Sequence, residues 1–249
     1  MIDLPYAVIT QDLTRRFGNF TAVDRINLAI PTGIVCGFLG PNGAGKTTAM
    51  RMLCGILEPT SGSGKVLGFD IATQSELIKQ HIGYMSQKFS LYDDLTVWEN
   101  LNFYAGLYNL SGSTKHQRIK EMIELAQLKE RQDQLVGTLS LGFKQRLALG
   151  CTLISHPKLV FLDEPTSGVS PASRRAFFNI IQDLASQGTT VIVTTHFMEE
   201  AERCQQIAFF SRGKLLALAS PDELKQTSLE GILLELIVPD PLGIIDDLL

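Results

Sequence analysis

Eight consecutive residues, Gly40-Pro41-Asn42-Gly43-Ala44-Gly45-Lys46-Thr47, fit the pattern GxxxxGK[ST]. Each residue type has a chemical use there. Gly40, Gly43 and Gly45 let the backbone turn and approach a polyphosphate with no Cβ in the way. The amides of the loop, continuing to Thr48, then face inward as an anion nest ahead of a helix. Lys46 is placed to reach the β- and γ-phosphates, and the Thr47 hydroxyl to bind Mg²⁺. By average residue frequencies the pattern arises by chance in a chain this long about 1% of the time. A second chemical pair, Asp163-Glu164, follows the apolar run Leu159-Val-Phe-Leu162. An acid at that place holds Mg²⁺ through water, and the next carboxylate can polarise an attacking water as a general base.

These groups need strands and helices to carry them. Ile34–Leu39, Lys158–Asp163 and Thr189–Thr195 read as buried strands, and Lys46–Cys54 as the helix after the loop. Ser170-Pro171 predicts an N-cap and a first-turn proline. Ala176, Phe177, Ile180, Ile181 and Leu184 then recur at helical spacing, up to a stop at Gly188. This alternation predicts an α/β fold with a parallel sheet. From about Lys88 to His156 the periodicity is helical only. Val97, Leu101, Tyr104 and Tyr108 share one face, Ile119, Met122, Ile123 and Ala126 another, and a third helix begins near Ser140. Ala7–Phe17 and Phe20–Ile30 resemble antiparallel strands. Beyond Thr227 an alternating run, Ile232–Val238, precedes a short acidic end.

Composition agrees with a folded α/β chain. Of 249 residues, 45% are hydrophobic and 19% charged, which excludes bulk disorder. A balance of 22 basic to 26 acidic residues argues against a nucleic-acid coat protein. The mean hydropathy of +0.12 invites a membrane reading. The longest uninterrupted apolar run is only Leu215–Ala219, far short of the roughly 20 residues a span needs, and no signal peptide is visible. Cys36, Cys54, Cys151 and Cys204 form no CxxC pair, and His81, His116, His156 and His196 stand at no metal-ligand spacing. A soluble intracellular protein with buried free thiols is expected.

Further residues fall in order around the loop and the acid pair. Gln87 lies in Tyr84-Met-Ser-Gln-Lys88, and Ser140 and Gly142 in Leu139-Ser-Leu-Gly-Phe-Lys-Gln-Arg146. Pro165-Thr-Ser-Gly-Val-Ser170 follows Glu164, His196 ends a predicted strand, and Phe17 stands in Arg16-Phe-Gly-Asn19. Taken singly, each has a plainer reading: Gln87 as a surface loop residue, Ser140 as a helix cap, His196 as a strand-end histidine, Phe17 as core. Together and in order, over about residues 7–227, they resemble the ATPase subunits of ATP-binding-cassette (ABC) transporters. Leu141–Ala148 and Thr194–Ala201 are most similar to multidrug-type exporters of the second ABC exporter class.

The resemblance implies an α/β P-loop NTPase (RecA-like) core with an N-terminal antiparallel β subdomain and a helical insertion. One nucleotide-binding domain would span 1–228, with core segments 1–87 and 158–228 and a helical subdomain 88–157; residues 229–249 would be a tail. ATP and Mg²⁺ are the implied ligands. Phe17, with Phe20 as a rival, would face adenine. Ser140 and Gly142 would meet the γ-phosphate of a partner's nucleotide. Gln87 would join Thr47 and Asp163 at the metal, and Glu164, His196, Lys46 and Gln87 would act in hydrolysis. Implied partners are a second ATPase subunit, identical or not, closing head to tail, and an integral membrane permease docked near Phe89–Tyr92, with no nucleic acid. The place implied is the cytoplasmic face of the plasma (inner) membrane, peripherally. A soluble ABC protein of ribosome or DNA and a nucleotide-binding regulator with little turnover are the alternatives.

Three positions depart from the family pattern. Leu141 replaces a glycine and Phe143 a glutamine in the signature, and Ser170 replaces an aspartate. A Cβ at Leu141 crowds an approaching phosphate, Phe143 loses the amide's hydrogen bonds, and Ser170 keeps a cap but drops a charge. Either the signature offered to a partner is weakened, or this subfamily tolerates Leu-Gly-Phe.

Overall fold

The computed structural model describes residues 5–228. In chain order the elements are β1 (Tyr6–Phe17), β2 (Phe20–Ile26), β3 (Ala29–Pro31), β4 (Val35–Leu39), α1 (Lys46–Leu53), β5 (Ser61–Val66), β6 (Phe69–Asp70), α2 (Ser75–His81) and β7 (Ile82–Met85). They continue with α3 (Val97–Leu107), α4 (Gly112–Leu125), α5 (Leu141–Leu153), β8 (Leu159–Asp163), α6 (Pro171–Ser186), β9 (Thr190–Thr195), α7 (Met198–Ala201), β10 (Gln206–Ser211), β11 (Lys214–Ala219) and α8 (Pro221–Ser228).

Two sheets result. The larger runs β11-β10-β4-β9-β8-β7, parallel except for the antiparallel edge strand β11. The smaller is antiparallel, in the order β2-β1-β5-β6, with β3 also paired to β1. Side chains of a strand point alternately to its two faces. In the large sheet both faces are therefore apolar. Val35, Val160 and Val191 join the core formed with α3–α6, while their neighbours Cys36, Phe161 and Ile192 join the core formed with the small sheet and α1. Such double burial explains why β4, β8 and β9 read as continuous apolar runs.

Caps set the helix starts. The Ser170 hydroxyl accepts from Ser173 N at 3.3 Å, with Pro171 at the first turn, as the sequence predicts. Thr96 and Glu99 form a capping box at α3. Ser140 stands at the N-cap of α5 with no side-chain capping bond, leaving its hydroxyl uncommitted to the helix.

Several expectations need adjustment. Phe20–Ile30 is two strands: β2 pairs with the C-terminal part of β1 and β3 with its N-terminal part. Irregular register within the β1–β2 and β1–β3 ladders marks where the chain cannot follow one straight partner. β5, β6, β7 and the β10–β11 hairpin were not foreseen as strands; Leu215–Ala219 lies within β11. On α6 the buried face includes Phe178, and Ala176 is only half-buried. All four cysteines are free and buried. The run Ile232–Val238 lies outside the described residues. Among the described residues no helix is long and apolar enough to cross a membrane, and no cluster of metal-ligating side chains occurs.

Candidate nucleotide site

The loop 40–47 joins the end of β4 to the start of α1. Two of its glycines are required by close approach. A Cβ on Gly40 would sit 2.2 Å from Phe210 O, and one on Gly45 would sit 2.5 Å from Ala22 O. Gly45 is the N-cap of α1 at φ +100°, and no side chain caps that helix. Its first amides are thus left for a ligand, at the positive end of the helix dipole.

Lys46 is 4% exposed. Its ammonium donates to Gly40 O at 2.7 Å and Pro41 O at 2.9 Å, folding back over the loop. Burial pushes its pKa below the usual lysine value, while the carboxylates of Glu164 and Asp163 pull it back up. A buried cation held by two carbonyls, with acids nearby, is a stand-by arrangement for an anion.

At the end of β8, Asp163 is 2% exposed. Its Oδ1 accepts the Thr47 hydroxyl at 2.9 Å and the Thr194 hydroxyl at 2.8 Å. Hard oxygen donors from the loop helix and an adjacent strand therefore converge. Mg²⁺ favours one or two protein oxygens completed by phosphate and water, so the donor set fits it. A cation bound by the Thr47 oxygen would replace the Thr47–Asp163 hydrogen bond.

Glu164 follows at φ +46°, a backbone region that side-chain-bearing residues rarely adopt. Its amide donates to the Thr194 hydroxyl at 2.8 Å. Its carboxylate accepts Gln87 Nε2 at 3.1 Å and stands 3.9 Å from His196 Nδ1. Gln87 lies just past β7, so the edge strand of the sheet delivers it. The His196 ring packs on Phe197 at 4.1 Å between centroids, and Phe197 lies under the Arg174 guanidinium at 4.0 Å.

Thr47, Asp163, Glu164, Gln87 and His196 thus form one connected group, with Lys46 close enough to feel the charge of both acids. Phe17 sits at the β1–β2 turn opposite Phe20, 48% exposed, with the Arg15 guanidinium 4.6 Å over its ring. Phe20 is 64% exposed. Arg15 thus covers one face of the Phe17 ring, while Phe20 is the more open of the two, on the strand pair that borders Gly45. Ser140 and Gly142 stand apart. Gly142 lies by Ser173, and among the described residues neither hydrogen-bonds to the loop 40–48. Leu141 packs instead on Gly168: its Cδ2 lies 3.2 Å from where a Cβ on that glycine would be. Phe143 stacks under Arg131 at 4.4 Å and beside Arg146 at 5.8 Å.

Thr194 was missed from sequence. Its signal is the tandem Thr194-Thr195 at the end of an apolar strand, where a hydroxyl must find a partner when buried.

Comparison with known proteins agrees with this geometry. Residues 23–167 match the family model described as ABC transporter. The chain is 50% identical over 218 residues to the "Probable multidrug ABC transporter ATP-binding protein YbhF" of Escherichia coli (strain K12), covering 88% of this chain and 38% of that protein's length. It is 34% identical over 247 residues to the "Nod factor export ATP-binding protein I" of Burkholderia lata, covering 98% of this chain and 81% of that protein. An ATP-binding cassette solved as a post-hydrolysis dimer bound to ADP and Pi shares the fold. Its TM-score is 0.76 at 23% identity, over 86% of this chain and 98% of that one. On these matches the chain belongs to the ABC transporter family.

Proposed function

We propose that this chain binds ATP with Mg²⁺ and hydrolyses it to power a membrane permease, one that exports drugs or other small hydrophobic compounds. The observation that carries the reading is the joined set Lys46, Thr47–Asp163 and Glu164–Gln87, each member with the chemistry its place requires. Export rests on the likeness to the Nod factor export protein, and drugs as cargo on the likeness to the multidrug transporter protein.

In this reading Lys46 leaves the carbonyls of Gly40 and Pro41 for the β- and γ-phosphates. Thr47 and Asp163, with Gln87, would hold Mg²⁺, which would supply charge neutralisation at the phosphates. Glu164 takes the proton of the attacking water, and His196 donates to the γ-phosphate. Phe17 stacks on adenine.

Ser140 and Gly142 serve a partner's nucleotide rather than their own, which requires a second subunit closing head to tail. The lack of any hydrogen bond from them to the loop 40–48 among the described residues, and the dimeric cassette above, support this arrangement. The permease docks beside Gln87. Tyr92 and Phe103 meet edge-on there at 4.8 Å, and Leu107 is 60% exposed on the same helix as Phe103. Residues 1–228 act as one nucleotide-binding domain with a helical subdomain at 88–157, sitting peripherally at the cytoplasmic face of the membrane. No nucleic acid takes part.

The test is Mg²⁺-dependent release of phosphate from ATP by the purified chain. Turnover lost in Lys46→Met and on chelation of Mg²⁺ is expected. ATP binding without any turnover in the wild type, alone or with its permease, would favour the regulator reading.

A further inference from the structure

Glu200, in α7, is an ionisable side chain to which none of the steps above assigns a role, and it is 3% exposed. A carboxylate taken out of water is costly unless its oxygens are satisfied. Here the two oxygens are satisfied by two different segments. Oε1 accepts the Thr166 hydroxyl, and Oε2 accepts the Thr195 hydroxyl. Both threonines are 2% exposed, so water does not compete for these bonds.

The identity of the two segments gives the arrangement meaning. Thr166 lies two residues beyond Glu164, in the loop that runs from β8 to α6. Thr195 is the last residue of β9 and immediately precedes His196. Its hydroxyl also accepts Phe197 N at 3.0 Å, which fixes the backbone on the far side of His196. One carboxylate therefore ties the segment carrying Glu164 to the segment carrying His196. The side chains so held face each other, with His196 Nδ1 3.9 Å from Glu164 Oε1.

We propose that Glu200 is a positioning residue for hydrolysis, fixing the separation of Glu164 and His196 through Thr166 and Thr195. The inference rests on the hydrolytic reading above. A carboxylate suits the task because it offers acceptors to both hydroxyls. A glutamine offers one acceptor and an amide, so it keeps the bond to one threonine and can meet the second only with that hydroxyl turned.

The test compares Glu200→Ala, Glu200→Gln and Thr166→Val in steady-state ATPase and in nucleotide binding, each alone and with His196→Ala. Misplacement of a reacting group by about 1 Å can cost up to about 100-fold, so Glu200→Ala is expected to lower kcat about tenfold or more. The Kd for ATP should stay within about twofold, because the phosphate loop is untouched. Glu200→Gln should recover most of the loss, and Thr166→Val, which keeps the buried carboxylate, should show an intermediate fall. With His196 already removed, the further loss from Glu200→Ala should shrink to about twofold, since neighbours in one network are not additive.

An unchanged kcat with a lowered Tm would overturn the proposal and leave Glu200 a packing residue. Equal fold-losses with and without His196 would overturn it also. If Glu200→Ala does not fold, Thr166→Val decides: an unaltered rate overturns. A wild-type chain with no turnover would overturn the hydrolytic reading, and this inference with it; a turning-over wild type with an unaffected Glu200→Ala overturns this inference alone.

Discussion

The hydroxyl of Thr194 donates to Asp163 Oδ1 at 2.8 Å and accepts the amide of Glu164 at the same distance. Strand β9 thereby orders two adjacent acids, Asp163 at the end of β8 by its side chain and Glu164 just beyond it by its backbone. The next residue, Thr195, points to the opposite face and meets Glu200. Thr194→Val, similar in shape, leaves the Glu164 amide without an acceptor. A loss of about 1–3 kcal/mol in stability is expected, with a fall in kcat of about tenfold as Glu164 loosens. Thr194→Ser should stay near wild type. Urea unfolding and phosphate release read both effects.

Glu164→Gln removes the only proton acceptor directly after Asp163 and keeps the shape. Hydrolysis should fall by about 10²–10⁴, while ATP is retained and trapped. Phosphate release set against bound nucleotide measures this, and an undiminished rate removes Glu164 as the base.

Much of the site was legible because its parts are contiguous or end an apolar run. The loop 40–47 and Asp163-Glu164 are of this kind, and the structure joins them through Thr47. Gln87 and His196 needed the family pattern, since a lone glutamine or histidine carries no spacing. Thr166 and Glu200 were illegible, and Thr194 marked only by its place at the end of an apolar strand, for a different reason. Each acts through a partner far away in sequence, and only the packing of β8, β9 and α7 brings them together. In the fold, β4, β8 and β9 were readable from double burial. Strand β5, Ser61-Gly-Ser-Gly-Lys-Val66, was not: it is mostly exposed, and two of its residues are glycines, so no alternation of apolar side chains marks it. Strand β7 has four residues, too few for a period.

The signature departures can be separated. Leu141 is 45% exposed and covers Gly168. In the proposed head-to-tail pair, Leu141→Gly is expected to raise the ATPase rate of the purified chain several-fold by opening the backbone to phosphate, at a cost of about 0.5–1 kcal/mol in helix stability. Phe143→Gln should cost about 0.5–1 kcal/mol through loss of the Arg131 stack. A double variant no faster than wild type would mean that Leu-Gly-Phe is simply tolerated.

The proposed permease dock can be tested at Tyr92. Asn100, fully buried, donates to Tyr92 O at 3.0 Å and accepts Tyr92 N at 2.9 Å, presenting the Tyr92 ring outward. Tyr92→Asp places a charge where an apolar helix would seat. Co-purification with the permease should be lost by about tenfold or more, as expected for a buried aromatic anchor, with ATP binding by the free chain unaltered. Unchanged association would place the dock elsewhere.

The backbone of Glu164, at φ +46°, sets stability and activity against each other at a single codon. Glycine or asparagine there relaxes about 1 kcal/mol of strain and, in the proposed hydrolytic reading, removes the base in the same step. A library sorted by thermal survival will therefore drift toward inert proteins at this position. One sorted by turnover will keep the strained carboxylate and must gain its stability elsewhere in the chain.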